Sequence, residues 1–369
     1  MLPINKPLLG VEEKEAVLKV IESGIMTNSS PEGGPNVRAF ESELARYLNA
    51  KHIVGGNSGT AALYMALLAS GIKPGDEVVM PSFTFAATAG AAVLAGAKPV
   101  FVDIDLSSYN MMPEAFKKAI TKRTKVVIPV DLYGLPAEMD EIGKIAEEHG
   151  ITVIEDACQA LGSSYKGRMA GTLGDMGCLS FYSTKVMTTG EGGAIITNDD
   201  ALAEKLGRIR THGQVKGNDS VILGGNFRMP EMEAAIGRVQ LKKLPGFLAA
   251  RARNANALRE RLDGVGLVLP EVPKYSKHNW YLFTVRCKMA EERERLMSSL
   301  LGVGIGATVY YPTPVHRIPL YAGLGYAKVK LPASEKAAKT VLSLPINPAV
   351  TEEDLDRMAG LIKKTKKNP

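Results

Sequence analysis

Glu77-Val78-Val79-Met80-Pro81-Ser82-Phe83-Thr84-Phe85-Ala86-Ala87-Thr88-Ala89-Gly90-Ala91-Ala92-Val93-Leu94-Ala95-Gly96-Ala97-Lys98-Pro99-Val100-Phe101-Val102 is the stretch on which the fold turns. From Val78 to Ala97 it holds no charged residue, and its length is about right for crossing a bilayer. Its character changes halfway, however. Val78-Val79-Met80 is strand-like, Pro81 interrupts, and Ala86 to Ala95 is a helix of small residues able to pack tightly on a sheet. Pro99 to Val102 then reads as a second strand. A buried strand–loop–helix–strand fits these residues better than a membrane span.

Outward from this unit the pattern repeats. Further strand-like runs are His52-Ile53-Val54, Lys125 to Val130 and Ile151 to Ile154. Helical stretches at Thr60 to Ala69, Glu114 to Ile120 and Ala137 to His149 separate most of the strands. Strand and helix alternating in this way predict an α/β fold with a mostly parallel sheet covered by helices. Two helices precede it: Glu12 to Ser23, with Val11, Val17, Leu18 and Ile21 as apolar positions, and Val37 to Asn49, with Phe40, Leu44 and Leu48 on one face. After Pro230 the alternation stops. Glu231 to Leu244 and Phe247 to Leu262 read as two helices divided at Pro245-Gly246. A strand (Trp280 to Arg286), a helix (Glu291 to Leu301), the turn-rich Tyr310 to Pro319 and closing helices near Ala333 to Val341 and Glu352 to Lys364 follow. The expected division is a large domain over residues 1–244 and a smaller C-terminal α+β domain over residues 245–369.

The 369 residues, 45% hydrophobic and 23% charged, have the composition of an ordinary globular protein. Three cysteines, Cys158, Cys178 and Cys287, are too far apart for a zinc signature and too few for a disulfide framework. They favour a reducing compartment, and with no signal-peptide pattern in the first residues a cytoplasmic location is expected. The net charge of +6 is modest, and four of its lysines lie in Lys363-Lys364-Thr365-Lys366-Lys367, read as a solvated, frayed end. Neither a nucleic-acid face nor a membrane partner is expected.

In parallel sheets function collects where strands end. Gly55-Gly56-Asn57-Ser58-Gly59-Thr60 follows a strand and opens a helix, so free N–H groups and the helix dipole converge on one spot. That suits a phosphate, although the same residues make an ordinary helix cap. Val153-Ile154-Glu155-Asp156 puts two acids at the end of an apolar strand. One of them, with Asp156 the better placed, could hold a pyridine nitrogen protonated; a helix cap or ion pair would use the same residues. Phe83 or Phe85 could stack on a flat ring, or belong to the core. Finally, Ser180-Phe181-Tyr182-Ser183-Thr184-Lys185 leads into Gly190-Glu191-Gly192-Gly193, setting a lysine between two apolar strands. Desolvation there disfavours the ammonium, and a free amine is a nucleophile suited to a Schiff base. A lysine whose stem packs while its head reaches water is the plainer alternative. No G-x-G-x-x-G after a strand, Walker motif, metal-spaced His/Cys cluster or nucleophile elbow competes.

Taken in order, these motifs resemble the DegT/DnrJ/EryC1/StrS aminotransferases. The likeness runs from Ser23-Gly24 and Phe40-Glu41 through Ser58-Gly59-Thr60-Ala61-Ala62-Leu63, Pro81 to Ala89, and Glu155-Asp156-Ala157-Cys158-Gln159-Ala160. It continues with Ser180 to Lys185, Gly190 to Gly193, Gly225-Asn226-Phe227-Arg228-Met229 and Leu342-Ser343-Leu344-Pro345. The resemblance implies the fold type I architecture of pyridoxal-phosphate enzymes and a homodimer with shared active sites. It implies that Lys185 bears pyridoxal 5′-phosphate as a Schiff base and Asp156 faces the pyridine nitrogen. Phe85 would stack on the ring, Gln159 would meet the phenolic oxygen, and Gly59, Thr60 and Ser180 would hold the phosphate. Asn226 would reach the neighbouring subunit's phosphate, and His316, in Tyr311-Pro312-Thr313-Pro314-Val315-His316, would contact a sugar nucleotide. Some relatives carry histidine in place of the lysine; Lys185 here implies transamination, from an amino acid such as L-glutamate to a nucleotide-linked keto sugar. A keto-cyclitol substrate, or a regulatory protein built on the same fold, are the alternatives. The loop before Pro35, with Glu32 and Gly33-Gly34, is longer than the family pattern leads one to expect.

Overall fold

A computed structural model describes residues 1–216 and 219–367 of the chain. Its centre is a seven-stranded sheet. The strands are β1 (His52–Gly56), β2 (Glu77–Pro81), β3 (Lys98–Val102), β4 (Thr124–Val127), β5 (Thr152–Asp156), β6 (Met176–Ser180) and β7 (Gly193–Thr197). Across the sheet the order is β1-β7-β6-β5-β4-β2-β3. β7 runs antiparallel to both neighbours and the remaining pairs are parallel. The expected mostly parallel α/β sheet is therefore what the chain forms.

Successive strand residues point to opposite faces, and the packing follows that period. Val78 and Met80 pack with Leu63, Met65 and Leu67 of α3 (Gly59–Ala69) and Ala89 of α4 (Ala86–Leu94). Val79 and Val127 face the other way, onto Phe116 of α5 (Pro113–Ala119) and Ile142 of α6 (Met139–His149). The strand of the uncharged run from Val78 to Ala97 is wholly buried and its helix packs Thr88, Ala89, Ala91 and Ala92 inward, while Leu94 at the helix end is exposed. Among the described residues no helix is long and apolar enough to cross a membrane.

Three expectations need correction. First, Pro245 does not divide two helices; α8 runs unbroken from Glu231 to Leu262 with Pro245 inside it. An interior proline costs about 3 kcal/mol. Here Leu241, Leu244 and Leu248 are buried in the main core on both sides of it, and Ala255, Leu258 and Leu262 continue into a separate C-terminal core. Each buried leucine contributes about 1.5–3 kcal/mol, enough to offset the break. Along α8 the two cores meet between Leu248 and Ala255. The first residues also join the C-terminal core, because Leu2 N donates to Gly304 O at 2.8 Å and Gly306 N to Leu2 O at 2.7 Å.

Second, α1 (Val11–Ser23) forms with its apolar stripe turned outward: Val11, Leu18 and Ile21 are more than half exposed. Glu13 is buried instead, because it accepts from Gly10 N at 2.7 Å and pairs with Gln240 and Lys243 of α8 at 2.8 Å. Third, the basic end is not frayed. After α7 (Asp200–Arg210), α9 (Ala290–Gly302) and α10 (Pro332–Thr340), the last helix α11 runs Glu352–Lys367, and Lys366 pairs with Glu292. In the C-terminal core β8 (Phe283–Arg286) pairs antiparallel with β9 (Val341–Leu344). β8 begins later than expected because His278 Nδ1 and Asn279 Oδ1 accept from Trp280 N and Tyr281 N at 2.8 and 2.9 Å, holding those residues in a turn.

Candidate active site

Strands β1, β2, β5 and β6 all end on one side of the sheet, where β7 begins. Register places Gly56, Gly193 and Ser180 abreast on β1, β7 and β6. Side chains this close to a helix start must be small. A Cβ on Gly193 would lie 2.3 Å from Ser58 O, and one on Gly59 would lie 2.8 Å from Ser180 Cβ. Both glycines are required by close approach, and together they seat the first turn of α3 directly on the strand ends.

Above these ends lies a cavity of about 360 Å³. Lys185, Asp156, Gly59, Thr60, Phe85, Gln159 and Ser180 all line it, so residues far apart in sequence meet at one cavity. Ser58 is the helix cap; its Oγ accepts from Ala61 N at 3.0 Å. Among the described residues the N–H groups of Gly59 and Thr60 have no protein acceptor, and they stand at the positive end of a buried helix. The turn is thus a helix cap that still leaves two N–H groups unpaired.

Asp156 ends β5 and is only 5% exposed. Its Oδ2 accepts from Thr88 Oγ1 at 2.8 Å and its Oδ1 from Cys158 N at 3.3 Å. No lysine, arginine or histidine among the described residues pairs with it. A buried carboxylate with neutral donors and no cation is suited to receive a cationic group from a ligand. Thr88, three residues beyond Phe85 on α4, was within the sequence motif but its role was not legible until the helix set its hydroxyl against Asp156.

Lys185 follows β6, half-buried, with Nζ 4.8 Å from the centre of the Tyr281 ring. Phe85 caps the start of α4 and is 58% exposed toward the cavity, its ring 6.0 Å from that of Tyr311. Gln159 bridges two walls: its Oε1 accepts from Tyr133 N at 2.8 Å, and its Nε2 donates to Tyr311 Oη at 2.9 Å. Sequence reasoning missed Tyr281, Tyr310 and Tyr311 as cavity residues. They come from the C-terminal part of the chain, and only the run Tyr310-Tyr311-Pro312 carried a signal. Burial pushes the Tyr311 phenol well above its ordinary value and Tyr310 up to about 12, so both remain hydrogen-bond donors at neutral pH. Burial, then the Asp156 charge, likewise raises the Cys158 thiol, which faces the cavity un-ionised and weakly nucleophilic.

Two further candidate residues do not line this cavity, Asn226 being the one expected at a neighbouring subunit's phosphate. Asn226 is exposed and outside the cavity, and its carbonyl accepts from Asn57 Nδ2 at 3.3 Å. His316 does not reach the cavity at all. Its side chain is wholly buried, with Nδ1 2.6 Å from Ser82 Oγ and Nε2 3.2 Å from Glu335 Oε1, so direct sugar contact is ruled out in this arrangement. The loop from Ile25 to Gly34 also lies away from this cavity. Arg210 Nη2 holds Pro31 O at 2.6 Å, and Glu231 Oε2 accepts from Asn36 N at 2.6 Å.

Comparison with known proteins fixes what this geometry belongs to. Residues 7–363 match the DegT/DnrJ/EryC1/StrS aminotransferase family. The chain is a member of that family. It is 42% identical to a pleiotropic regulatory protein of Geobacillus stearothermophilus, over 95% of each chain. It is 41% identical to a UDP-N-acetyl-3-dehydro-alpha-D-glucosamine 3-aminotransferase of Acidithiobacillus ferrooxidans, covering 90% of this chain and 89% of that one. Among solved structures, the PLP form of the sugar aminotransferase Spr1654 from Streptococcus pneumoniae superposes with a TM-score of 0.94 at 26% identity, covering 100% of this chain and 99% of that one. The protein is a pyridoxal-phosphate-dependent aminotransferase. Its cavity fits that cofactor: unpaired helix-start N–H groups suit a phosphate, a cation-less buried carboxylate suits a ring nitrogen, and the Lys185 amine lines the same space.

Proposed function

We propose that this aminotransferase moves an amino group from an amino acid, L-glutamate, to a nucleotide-linked keto sugar. The observation that carries the reading is the cation-less Asp156 at the strand end in the same cavity as the Lys185 amine. The relative that aminates a 3-dehydro-glucosamine linked to UDP supports the substrate class. The regulatory name of the other relative is not carried over, because both groups that turnover needs are retained and share one cavity.

Bound pyridoxal phosphate supplies the electron sink. Each residue then has a separate task. Gly59 and Thr60 offer backbone N–H donors, and Ser180 a hydroxyl, to the phosphate. Asp156 holds the proton on the ring nitrogen by charge, while Thr88 fixes the carboxylate's orientation. Phe85 would stack its exposed face on the ring, and Gln159 would meet the phenolic oxygen. Lys185 would hold the cofactor through its amine, and its Nζ would take and return a proton. Tyr281, 4.8 Å from Nζ, excludes water from one side of that amine.

The assembly we infer is a homodimer. Val11, Leu18 and Ile21 form an outward apolar stripe on α1, and Asn226 is exposed where it could reach a second subunit's phosphate site. Ile21→Glu should shift the protein toward monomers in light scattering across a dilution series; an unchanged mass would remove α1 from the interface. The three cysteines are unpaired, in keeping with a cytoplasmic location.

The test of function uses purified protein loaded with pyridoxal phosphate. Its visible band should bleach with L-glutamate and return when a UDP-, dTDP- or GDP-linked keto sugar is added. Bleaching that free keto acids or keto-cyclitols reverse, and nucleotide-linked keto sugars do not, would overturn the substrate assignment. A band indifferent to glutamate would overturn the donor.

A further inference from the structure

We propose that His316 is a positioning residue: through Ser82 it locks the loop carrying Thr84 and Phe85 to the loop carrying Tyr310 and Tyr311, fixing the spacing of two cavity walls. The inference rests on the reading of this cavity as the cofactor site.

Ser82 follows β2, and the residues after it turn into the cavity. His316 lies just beyond Tyr310 and Tyr311, in a single 3-10 turn spanning Val315–Arg317. Ser82 and His316 are both wholly buried. Between them run Val315 N–H to Ser82 O at 2.8 Å, His316 N–H to Ser82 Oγ at 3.2 Å, and the side-chain bond from Ser82 Oγ to His316 Nδ1 at 2.6 Å.

The protonation pattern is determined by the partners. Glu335 can only accept, so the imidazole hydrogen is on Nε2, 3.2 Å away. Nδ1 is then bare and takes the Ser82 hydroxyl hydrogen, while the Ser82 oxygen takes the His316 amide hydrogen. No polar hydrogen of Ser82 or His316 is left without an acceptor. Arg317 Nη2, 2.8 Å from Glu335, neutralises the carboxylate and keeps the proton on the ring. Burial lowers His316 below its ordinary value, in agreement with a neutral ring.

Ser82, His316 and Glu335 have the residue types of a hydrolytic triad, but the Ser82 and His316 side chains are wholly buried and neither lines the cavity, so a substrate bound there does not reach them. Their effect is instead on the walls they join. Phe85 and Tyr311 stand 6.0 Å apart at their centres, and each wall is otherwise loop. Thr88, one turn further along α4, holds Asp156 at 2.8 Å, so a shift of the Ser82 loop also reaches the carboxylate.

Three variants separate this role from plain stability. His316→Asn places an amide oxygen where Nδ1 was, retaining the Ser82 bond and losing Glu335. His316→Gln reaches Glu335 and leaves Ser82 without an acceptor. Ser82→Ala removes the hydroxyl alone. For each, the dissociation constant of pyridoxal phosphate, the visible circular dichroism of the complex and the Tm of the cofactor-free protein are measured. His316→Gln and Ser82→Ala should each weaken cofactor binding about tenfold, the equivalent of ~1.4 kcal/mol, and flatten the dichroism. His316→Asn should stay within about twofold of wild type, as rescue through the retained bond. Wild-type binding and dichroism in His316→Gln and Ser82→Ala would overturn the clamp while leaving the function intact. So would losses that only track a lowered Tm, or that are equal in His316→Asn. A wild-type protein that forms no coloured complex would overturn both.

Discussion

On the sheet side of the cavity, Asp156, Lys185, Ser180 and the Gly59–Thr60 turn are set by strand ends whose register is fixed by backbone ladders. On the opposite side, Tyr310 and Tyr311 belong to a stretch with little regular structure, held by side chains: Tyr133 Oη to Tyr310 O, Gln159 to Tyr311, and His316 to Ser82. The first wall carries the groups that react, and the second shapes the space in front of them. A ladder places a carboxylate to within fractions of an ångström and cannot easily be altered. A wall hung on single hydrogen bonds can vary without unfolding the sheet, which suits a surface that must match one substrate among many. The two walls should therefore fail differently: lesions in the first lower kcat, and lesions in the second raise KM.

The largest expected effect is on the sheet side. Lys185→Ala should lower turnover about 10⁴-fold or more, since both the covalent attachment and the proton carrier are lost. Its Tm without cofactor should stay near that of wild type, because Nζ makes no hydrogen bond within the described residues. Steady-state turnover near the wild-type rate would remove Lys185 from the mechanism. Asp156→Asn keeps the shape and the bond from Thr88 but removes the charge. It should cost about 10²–10³ in kcat, through a ring nitrogen no longer held protonated. Undiminished kcat would make Asp156 structural.

A smaller effect of the other kind is expected at Tyr133. The phenol is pushed well above its ordinary value by burial, so it donates at any neutral pH, and its acceptor is the Tyr310 carbonyl. Tyr133→Phe removes that one bond and leaves the ring packed against Phe83 and Tyr109. KM for the keto substrate should rise about three- to tenfold with kcat held within about twofold. A fall in kcat with KM unchanged would contradict the division between the walls.

How much of this the sequence disclosed follows the same division. The parallel sheet and the Lys185, Asp156 and Gly59 positions were legible because short-range patterns carry them: apolar runs ended by acids, a glycine turn before a helix, a lysine between strands. The tyrosine wall was not, since nothing local in Tyr281 or Tyr311 tells a core ring from a cavity ring; only the folding of the C-terminal part against the sheet decides it. His316 was misplaced for a related reason. Its motif marked the right neighbourhood, but burial of the side chain is a property of α10 packing behind it, where Glu335 lies. Pro245 failed differently. A local breaker was outvoted by leucines on both sides of it, and a window of sequence cannot sum contacts made to other elements.

The smallest expected effect on kcat/KM, and the finest test of why the sheet-side wall is so firmly set, concerns the acid pair behind Asp156. Asp131 and Glu155 are wholly buried and lie against each other. Glu155 accepts from Gly171 N at 2.7 Å and Leu173 N at 2.9 Å, while Asp131 accepts only from Ala137 N at 2.9 Å, through Oδ1. Asp131 Oδ2 has no donor of its own, so a proton there, given to Glu155, satisfies both acids. Burial first, then the Glu155 charge, holds the Asp131 carboxyl well above its ordinary 3.8. Folding thus takes up a proton at pH values between 3.8 and the folded-state value. The stabilisation from this group is complete below pH 3.8 and is lost as pH rises toward the folded-state value. Asp131→Asn puts an amide donor where the acid proton sits and cannot ionise. Its kcat should be within about threefold of wild type, because Asp131 N still donates to Asp156 O at 3.1 Å and the strand end stays in place. Measured by urea unfolding between pH 5 and 8, wild type should lose stability relative to the variant by up to about 1.4 kcal/mol per pH unit. Parallel stability curves would mean that Asp131 is ionised in the folded protein, and that two like charges stand behind Asp156 in place of one.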